Sequence, residues 1–164
     1  MTVSASEKSN KRKKIDDTDA TIVHLLQKDG RLTNTEIAKK LNISEATVRI
    51  RLKRLIDEEY IQIVAVSNPY KLGFGMTGDI YISVDPGKIE SAISELKKIR
   101  ELWFIVTTTG SACVNAEFIV KNRNDLDELI HKKISAIDGV TKIQTSLILD
   151  YKKRRYDYGT AFDE

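Results

Sequence analysis

The stretch Thr35–Leu55, TEIAKKLNISEATVRIRLKRL, decides the fold of the first part of the chain. Ile37, Ala38 and Leu41 fall at helical spacing and form one apolar face. Asn42 follows, a residue that tolerates the left-handed backbone in which many helices stop. Ser44 then offers a hydroxyl to cap a second helix, and Glu45 puts a negative charge in its first turn, where the helix dipole favours it. In that second helix Val48, Leu52, Leu55 and Ile56 share one side. The opposite side carries Ala46, Thr47, Ile50, Lys53 and Arg54, flanked by Arg49 and Arg51. The small Ala38 lets the two helices approach closely. Helix, short turn and capped basic helix is the pattern of a helix-turn-helix, whose second helix enters the major groove of DNA.

A helical hairpin with a solvated basic face is the plainer alternative. Two features favour the groove-reading helix. The basic excess is concentrated on this helix, and its outward face mixes cations with small and apolar residues, whereas a solvated helix alternates charge signs. Reading DNA needs both kinds of residue: cations for phosphates, and short or apolar side chains for base edges and thymine methyls.

Outward from this stretch, residues 15–60 read as a three-helix DNA-binding unit. Asp16–Lys28 is the first helix, with Asp16 as N-cap and Asp19 three residues on, a relative of the capping box. Ile15, Ile22, Leu25 and Leu26 mark its buried side, and Gly30 ends it. Residues 1–14 are polar, end in Lys11-Arg12-Lys13-Lys14, and read as a disordered basic arm suited to phosphates. Downstream, Glu58-Glu59 closes the third helix. The β-branched run Ile61–Val66 reads as a strand, a wing or connecting ribbon. Asn68-Pro69 turns the chain, so residues 61–75 are assigned as linker strand and hinge.

Residues 76–150 alternate between the two periods. Thr77–Val84 is a strand, broken by Asp85-Pro86-Gly87. Ile89, Ala92, Ile93, Leu96 and Ile99 form a helical stripe. Strands Trp103–Thr109 and Cys113–Val120 flank the turn Gly110-Ser111-Ala112. Asn124 is expected to cap the next helix, with Asp127 behind it and Leu126, Leu129, Ile130 and Ile134 on its buried side. Asp138-Gly139 leads into a last strand, Val140–Leu149. This βαββαβ order is ferredoxin-like, with helices on one face of an antiparallel sheet, and the fold class is α+β. About half of the other face is expected to be apolar, which calls for a second copy of the chain to cover it. The tail, residues 151–164, is basic and aromatic through Tyr158 and is expected to pack on a partner subunit or on the DNA-binding unit.

With 164 residues, 41% apolar and 31% charged, the chain has the composition of a soluble globular protein of one or two domains. A net charge of +3 permits nucleic-acid binding without demanding it, so the distribution of charge carries that argument. Cys113 is the single cysteine, which suits a reducing cytoplasm. No run approaches the ~18 apolar residues of a membrane span, and the N-terminus lacks the apolar core of a signal peptide, so no membrane partner is expected. His24 and His131 stand apart without metal-ligand spacing, so no metal is expected. No Ser-His-Asp set, no paired carboxylates in a plausible cleft and no phosphate loop are found, so neither an enzyme nor a cofactor is expected.

From Ile15 to about Lys153 the chain resembles the Lrp/AsnC family, the leucine-responsive and feast/famine regulators of bacteria and archaea. The resemblance is carried by Ile15-Asp16-x-x-Asp19-x-x-Ile22, by the run QKDGRLTNTEIAKKLNISEATVRIRLKRL, by the Ile61–Pro69 ribbon with Leu72-Gly73 after it, and by Gly139-Val140 before the last strand. It implies a winged or ribbon-linked helix-turn-helix followed by a ferredoxin-like effector and dimerisation domain, assembled as homodimers and as tetramers or octamers. It also implies a sequence-specific regulator of transcription that binds double-stranded DNA and responds to an amino acid or related small molecule. Carried over by position, DNA contacts come from Ser44, Ala46, Thr47, Arg49, Ile50, Arg51 and Arg54, with Ile50 less polar than in many members.

The family's effector loop follows the second strand of the effector domain with glycine and then acidic residues that hold the ligand's amino group. Here Gly110 is kept, and Ser111 and Cys113 stand in place of the carboxylates. An α-ammonium loses a charged hydrogen bond worth ~1.5–3 kcal/mol by that exchange. Thr145 matches a position that often faces the family's pocket. Gly110, Ser111, Cys113 and Thr145 are therefore the implied effector residues; a tight hairpin without ligand, and a plain sheet threonine, are the alternatives. For function, the alternative is an architectural, largely non-specific DNA-binding protein without effector, against which the modest net charge argues.

Overall fold

The computed structural model describes residues 15–110 and 112–161. The expected basic arm over residues 1–14 and Ser111 of the loop lie outside them. The described residues form two compact units, residues 15–65 with 153–161, and residues 66–152.

In the first unit, α1 runs Asp17–Lys28, α2 Asn34–Leu41 and α3 Glu45–Asp57. Each start is capped by a side chain. Asp16 accepts from the Asp19 amide at 2.9 Å while Asp19 accepts from the Asp16 amide at 3.1 Å, completing the expected box. The second box, Thr33 with Glu36, starts α2 one residue ahead of the quoted stretch, and its T-x-x-E signature is plain in the sequence. Asn42 sits in the left-handed region at φ 52°, and the Ile43 amide reaches back to the Ala38 carbonyl at 3.1 Å. Ile22, Leu26, Ile37, Ala38, Val48 and Leu55 close the core between the helices.

α3 ends in a six-to-one bond from the Tyr60 amide to the Leu55 carbonyl (2.9 Å) and a bond from the Glu59 amide to the Ile56 carbonyl (3.0 Å). Glu59 occupies the left-handed position of this motif at φ 61°, where glycine is usual. The strand expected over Ile61–Val66 is not formed. Among the described residues no strand pairs with it, and Gln62–Val66 is exposed. β-branched residues favour a pleated, half-buried surface, but a strand exists only as part of a hydrogen-bonded ladder.

The second unit is a four-stranded antiparallel sheet in the order β2-β3-β1-β4, with β1 Met76–Val84, β2 Leu102–Thr107, β3 Val114–Val120 and β4 Val140–Leu147. Two helical segments connect them: α4, Ile89–Leu96, and α5, Arg123–Glu128, which continues as a π-helical turn over Leu129–Ile134. The alternation along β1 sends Ile80, Ile82 and Val84 into a core with Ala92, Leu96, Phe118, Leu129 and Ile134. The π turn has a physical role in that core. In an α-helix five residues rotate the chain by about 500°, which would turn Leu129 and Ile134 about 140° apart; the wider turn brings both to the core side.

Two expectations for this unit are corrected. The cap of α5 is Asn122, whose side chain accepts from the Asp125 amide at 3.0 Å, while Asp125 accepts from the Lys121 amide at 3.3 Å. Asn124 lies inside the helix instead, because the chain leaves β3 directly into the turn and Asn122 is the last residue with extended backbone. The sheet face turned away from the helices is also more polar than expected. Phe104, Val106, Tyr81 and Ile119 share it with Asp79, Ser83, Asn115, Glu117, Lys142, Gln144 and Ser146, as strand register dictates.

Candidate functional site

The outward face of α3 starts at its cap. The Ser44 hydroxyl accepts from the Thr47 amide at 3.1 Å and shares a 2.8 Å hydrogen bond with the Thr47 hydroxyl. α2 and α3 are tied at their starts, where the Thr35 hydroxyl donates to the Glu45 carboxylate at 2.8 Å. Beyond the cap, Ala46, Arg49 and Ile50 are exposed, and Ile50 leaves 69% of its surface open. Ile50 takes no part in the core cluster of this unit. Thr47, Ile50, Arg51 and Arg54 line a groove along this side of the helix.

The seven residues implied as DNA contacts divide into two groups. Ser44, Ala46, Thr47, Arg49 and Ile50 lie on the cap and the outward face. Arg51 and Arg54 turn back towards α1. Arg51 Nη1 donates to Asp16 at 2.7 and 2.9 Å and to Asp19 at 2.8 Å, and Arg54 Nη2 donates to the other oxygen of Asp19. The reason is the burial of Asp19, whose side chain is only 1% exposed. A buried carboxylate requires counter-charge and saturated hydrogen bonding, and two guanidinium groups with one backbone amide supply both. Arg51 lies next to the buried stripe on the helical wheel, so its reach towards α1 follows from its position. The Arg51 hydrogen bond holds the Asp16 carboxyl below its usual range, and Asp16 and Asp19 raise the Arg51 guanidinium above its own. Local sequence marks these aspartates only as caps; their charge partners come from a different helix, and helical periodicity does not reveal such a pairing.

The loop between β2 and β3 is closed by the Thr108 amide on the Cys113 carbonyl (3.0 Å) and the Thr108 hydroxyl on the Ala112 carbonyl (2.7 Å). Gly110 lies in it at φ 128°, and nothing stands within 4 Å of where a Cβ would be. The glycine is required by backbone conformation, not by space. The Cys113 thiol points to the Ile82 and Val84 carbonyls at 3.7 and 3.8 Å and packs against the core. Thr145 is exposed on edge strand β4, opposite Ile80, with β1 between it and β3. The structure therefore brings Gly110 and Cys113 into one hairpin and leaves Thr145 two strands away.

These two units each match a known family model. A winged helix-turn-helix DNA-binding model covers residues 15–62, and an Lrp/AsnC ligand-binding-domain model covers residues 80–158. The chain belongs to the Lrp/AsnC family of DNA-binding transcription regulators. This Lrp/AsnC chain is 35% identical to the HTH-type transcriptional regulator LrpA of Pyrococcus horikoshii, over 85% of this chain and 99% of that one. Its fold is similar to the leucine response regulatory protein of Mycobacterium tuberculosis, with a TM-score of 0.79 and 25% identity over 85% of this chain and 96% of that one. It is similar as well to a transcriptional regulator of Neisseria meningitidis solved as a complex with L-Met, with a TM-score of 0.77 and 24% identity over 88% and 96% of the two chains.

Proposed function

We propose that this Lrp/AsnC protein is a sequence-specific regulator that reads DNA with the outward face of α3. The observation that carries the reading is the pairing of an exposed Arg49, Ile50 and Ala46 with a helix held rigidly from behind by Asp19. Arg49 and the Ser44–Thr47 cap supply polar contacts to phosphates and base edges, and Ala46 and Ile50 supply apolar contact for thymine methyls. Arg51 and Arg54 act first as positioning residues, keeping the helix at its angle. The protein works by binding, not by turnover, and its place is the cytoplasm.

The chain assembles as a homodimer, and as a tetramer or octamer, through the sheet face that carries Tyr81, Phe104, Val106 and Ile119. The effector is an amino-acid-like molecule at the Gly110–Cys113 loop, the class of ligand that the Neisseria meningitidis regulator holds as L-Met. With Thr145 two strands away, the loop residues supply this contact first.

Fluorescence anisotropy with labelled promoter fragments at fixed moderate salt tests the reading. The expected result is a fragment bound in preference to random competitor and a loss of that preference in Arg49→Ala. Equal affinity for every duplex overturns sequence-specific regulation.

A further inference from the structure

The helix-turn-helix body is not itself basic. Residues 15–65 hold eight Lys and Arg against nine Asp and Glu, a net charge of −1. Several of its cations are already committed, Arg51 and Arg54 to Asp16 and Asp19, Lys53 to Asp57 and Arg31 to Asp29. Residues 15–65 by themselves have little long-range attraction for a polyanion, so cations that flank them in the sequence carry that attraction.

The tail adds a local run of such cations. Residues 153–161 belong to the same compact unit and open with three consecutive cations, Lys153, Arg154 and Arg155, although Asp157, Asp163 and Glu164 leave residues 153–164 without net charge. The tail is fastened by a reciprocal pair of hydrogen bonds. The Gln27 side-chain amide donates to the Gly159 carbonyl at 3.1 Å and its oxygen accepts from the Gly159 amide at 3.0 Å, so a side chain of α1 acts as a strand would. Gly159 meets this geometry at φ 77°. Arg155 is engaged by Asp157, whose carboxyl that guanidinium holds down to about 2. Lys153 has no ionic partner among the described residues, and Lys153, Arg154 and Arg155 are all exposed.

We propose that residues 153–159 are a second DNA contact, a basic strap that binds phosphates without reading sequence and is held on the helix-turn-helix unit by Gln27. The inference rests on the DNA-binding reading above. Its occupant is the duplex backbone, because exposed consecutive cations on the helix-turn-helix unit match a line of phosphates.

The test measures the salt dependence of duplex binding for the full chain, Lys153→Ala/Arg154→Ala, Gln27→Ala and Arg49→Ala, with circular dichroism as the check on folding. The strap predicts that the double variant lowers the slope of log K against log salt by about 1.8, about 0.9 for each phosphate left unneutralised, with the same fold-loss on promoter and random DNA. Gln27→Ala, which only unfastens the strap, should shift the slope in the same direction. If the parent binds DNA and Arg49→Ala weakens it while the tail variants keep the parent slope, the strap is overturned and the groove reading stands. If the parent binds no duplex, both fall. A double variant that loses helix content would show the tail to be structural, and the Gln27→Ala slope then decides: unchanged, it overturns the strap.

Discussion

Asp19 of the first helix accepts from Arg51 of the third at 2.8 Å, from inside the protein, while Arg51 itself is more than a quarter exposed. This unequal burial makes Asp19 the pivot of the three-helix unit: it holds Arg51, Arg54 and the Asp16 amide at once.

Removing that pivot should separate stability from DNA binding. Asp19→Ala strips the shared acceptor from two guanidinium groups that water can still reach, so the cost should fall at the lower end for a broken buried pair, about 3 kcal/mol. Arg49→Ala, on an open face, should stay within about 0.5 kcal/mol of the parent. Urea midpoints read both. An Asp19→Ala chain as stable as Arg49→Ala would mean the bridge does not hold the helices.

Asp16 predicts an acid limb. Its folded carboxyl titrates below the unfolded value of 3.8 because Arg51 favours the charged form. The stabilisation is therefore complete above that unfolded value and is lost as pH falls through the folded one. Asp16→Asn keeps a good cap and removes the charge. The stability difference between parent and variant should be widest near neutral pH and should close as the pH drops below 3.8. A difference that persists undiminished at the acid end would assign the effect to capping.

Glu59 sits at φ 61° in the helix-ending motif of α3. Glycine takes that backbone without the steric cost of a Cβ, so Glu59→Gly should stabilise by about 1 kcal/mol, seen as a higher thermal midpoint. A fall in the midpoint would show that unfolded-chain entropy outweighs the relief.

The two asparagines before and within α5 should behave differently. Asn122→Ala loses the cap on Asp125 and should cost about 1 kcal/mol, while Asn124→Ala exchanges an exposed helical residue for a better helix former. Chemical denaturation of both variants checks the assignment, and equal costs would refute it.

Gly78 and Gly110 should both resist alanine, for separate reasons. At Gly78 an added Cβ collides with the Ser146 carbonyl oxygen and the Phe118 ring, so the sheet must move, at about 1–3 kcal/mol or more. At Gly110 there is room, but φ 128° strains any side chain by about 1–3 kcal/mol. Gly78→Ala should broaden the amide signals of β1, β3 and β4; Gly110→Ala should shift the β2–β3 loop alone.

The helix-turn-helix and the βαββαβ order were legible in the linear chain because both rest on local signals. Apolar residues repeating with the period of their element, and a capping side chain three residues from its amide, are short-range facts of covalent geometry. Asp16, Asn42 and Ser44 act as their neighbours imply for that reason. Three features were decided only in three dimensions. Ile61–Val66 has strand propensity but no strand, because a ladder needs a partner that propensity cannot supply. Arg51 and Arg54 carry the same charge as Arg49 yet turn inward, because Asp19, far earlier in the chain, is buried where only they reach it. The tail becomes part of the DNA-binding unit through one glutamine amide on α1, a bond spanning 132 residues that no periodicity announces.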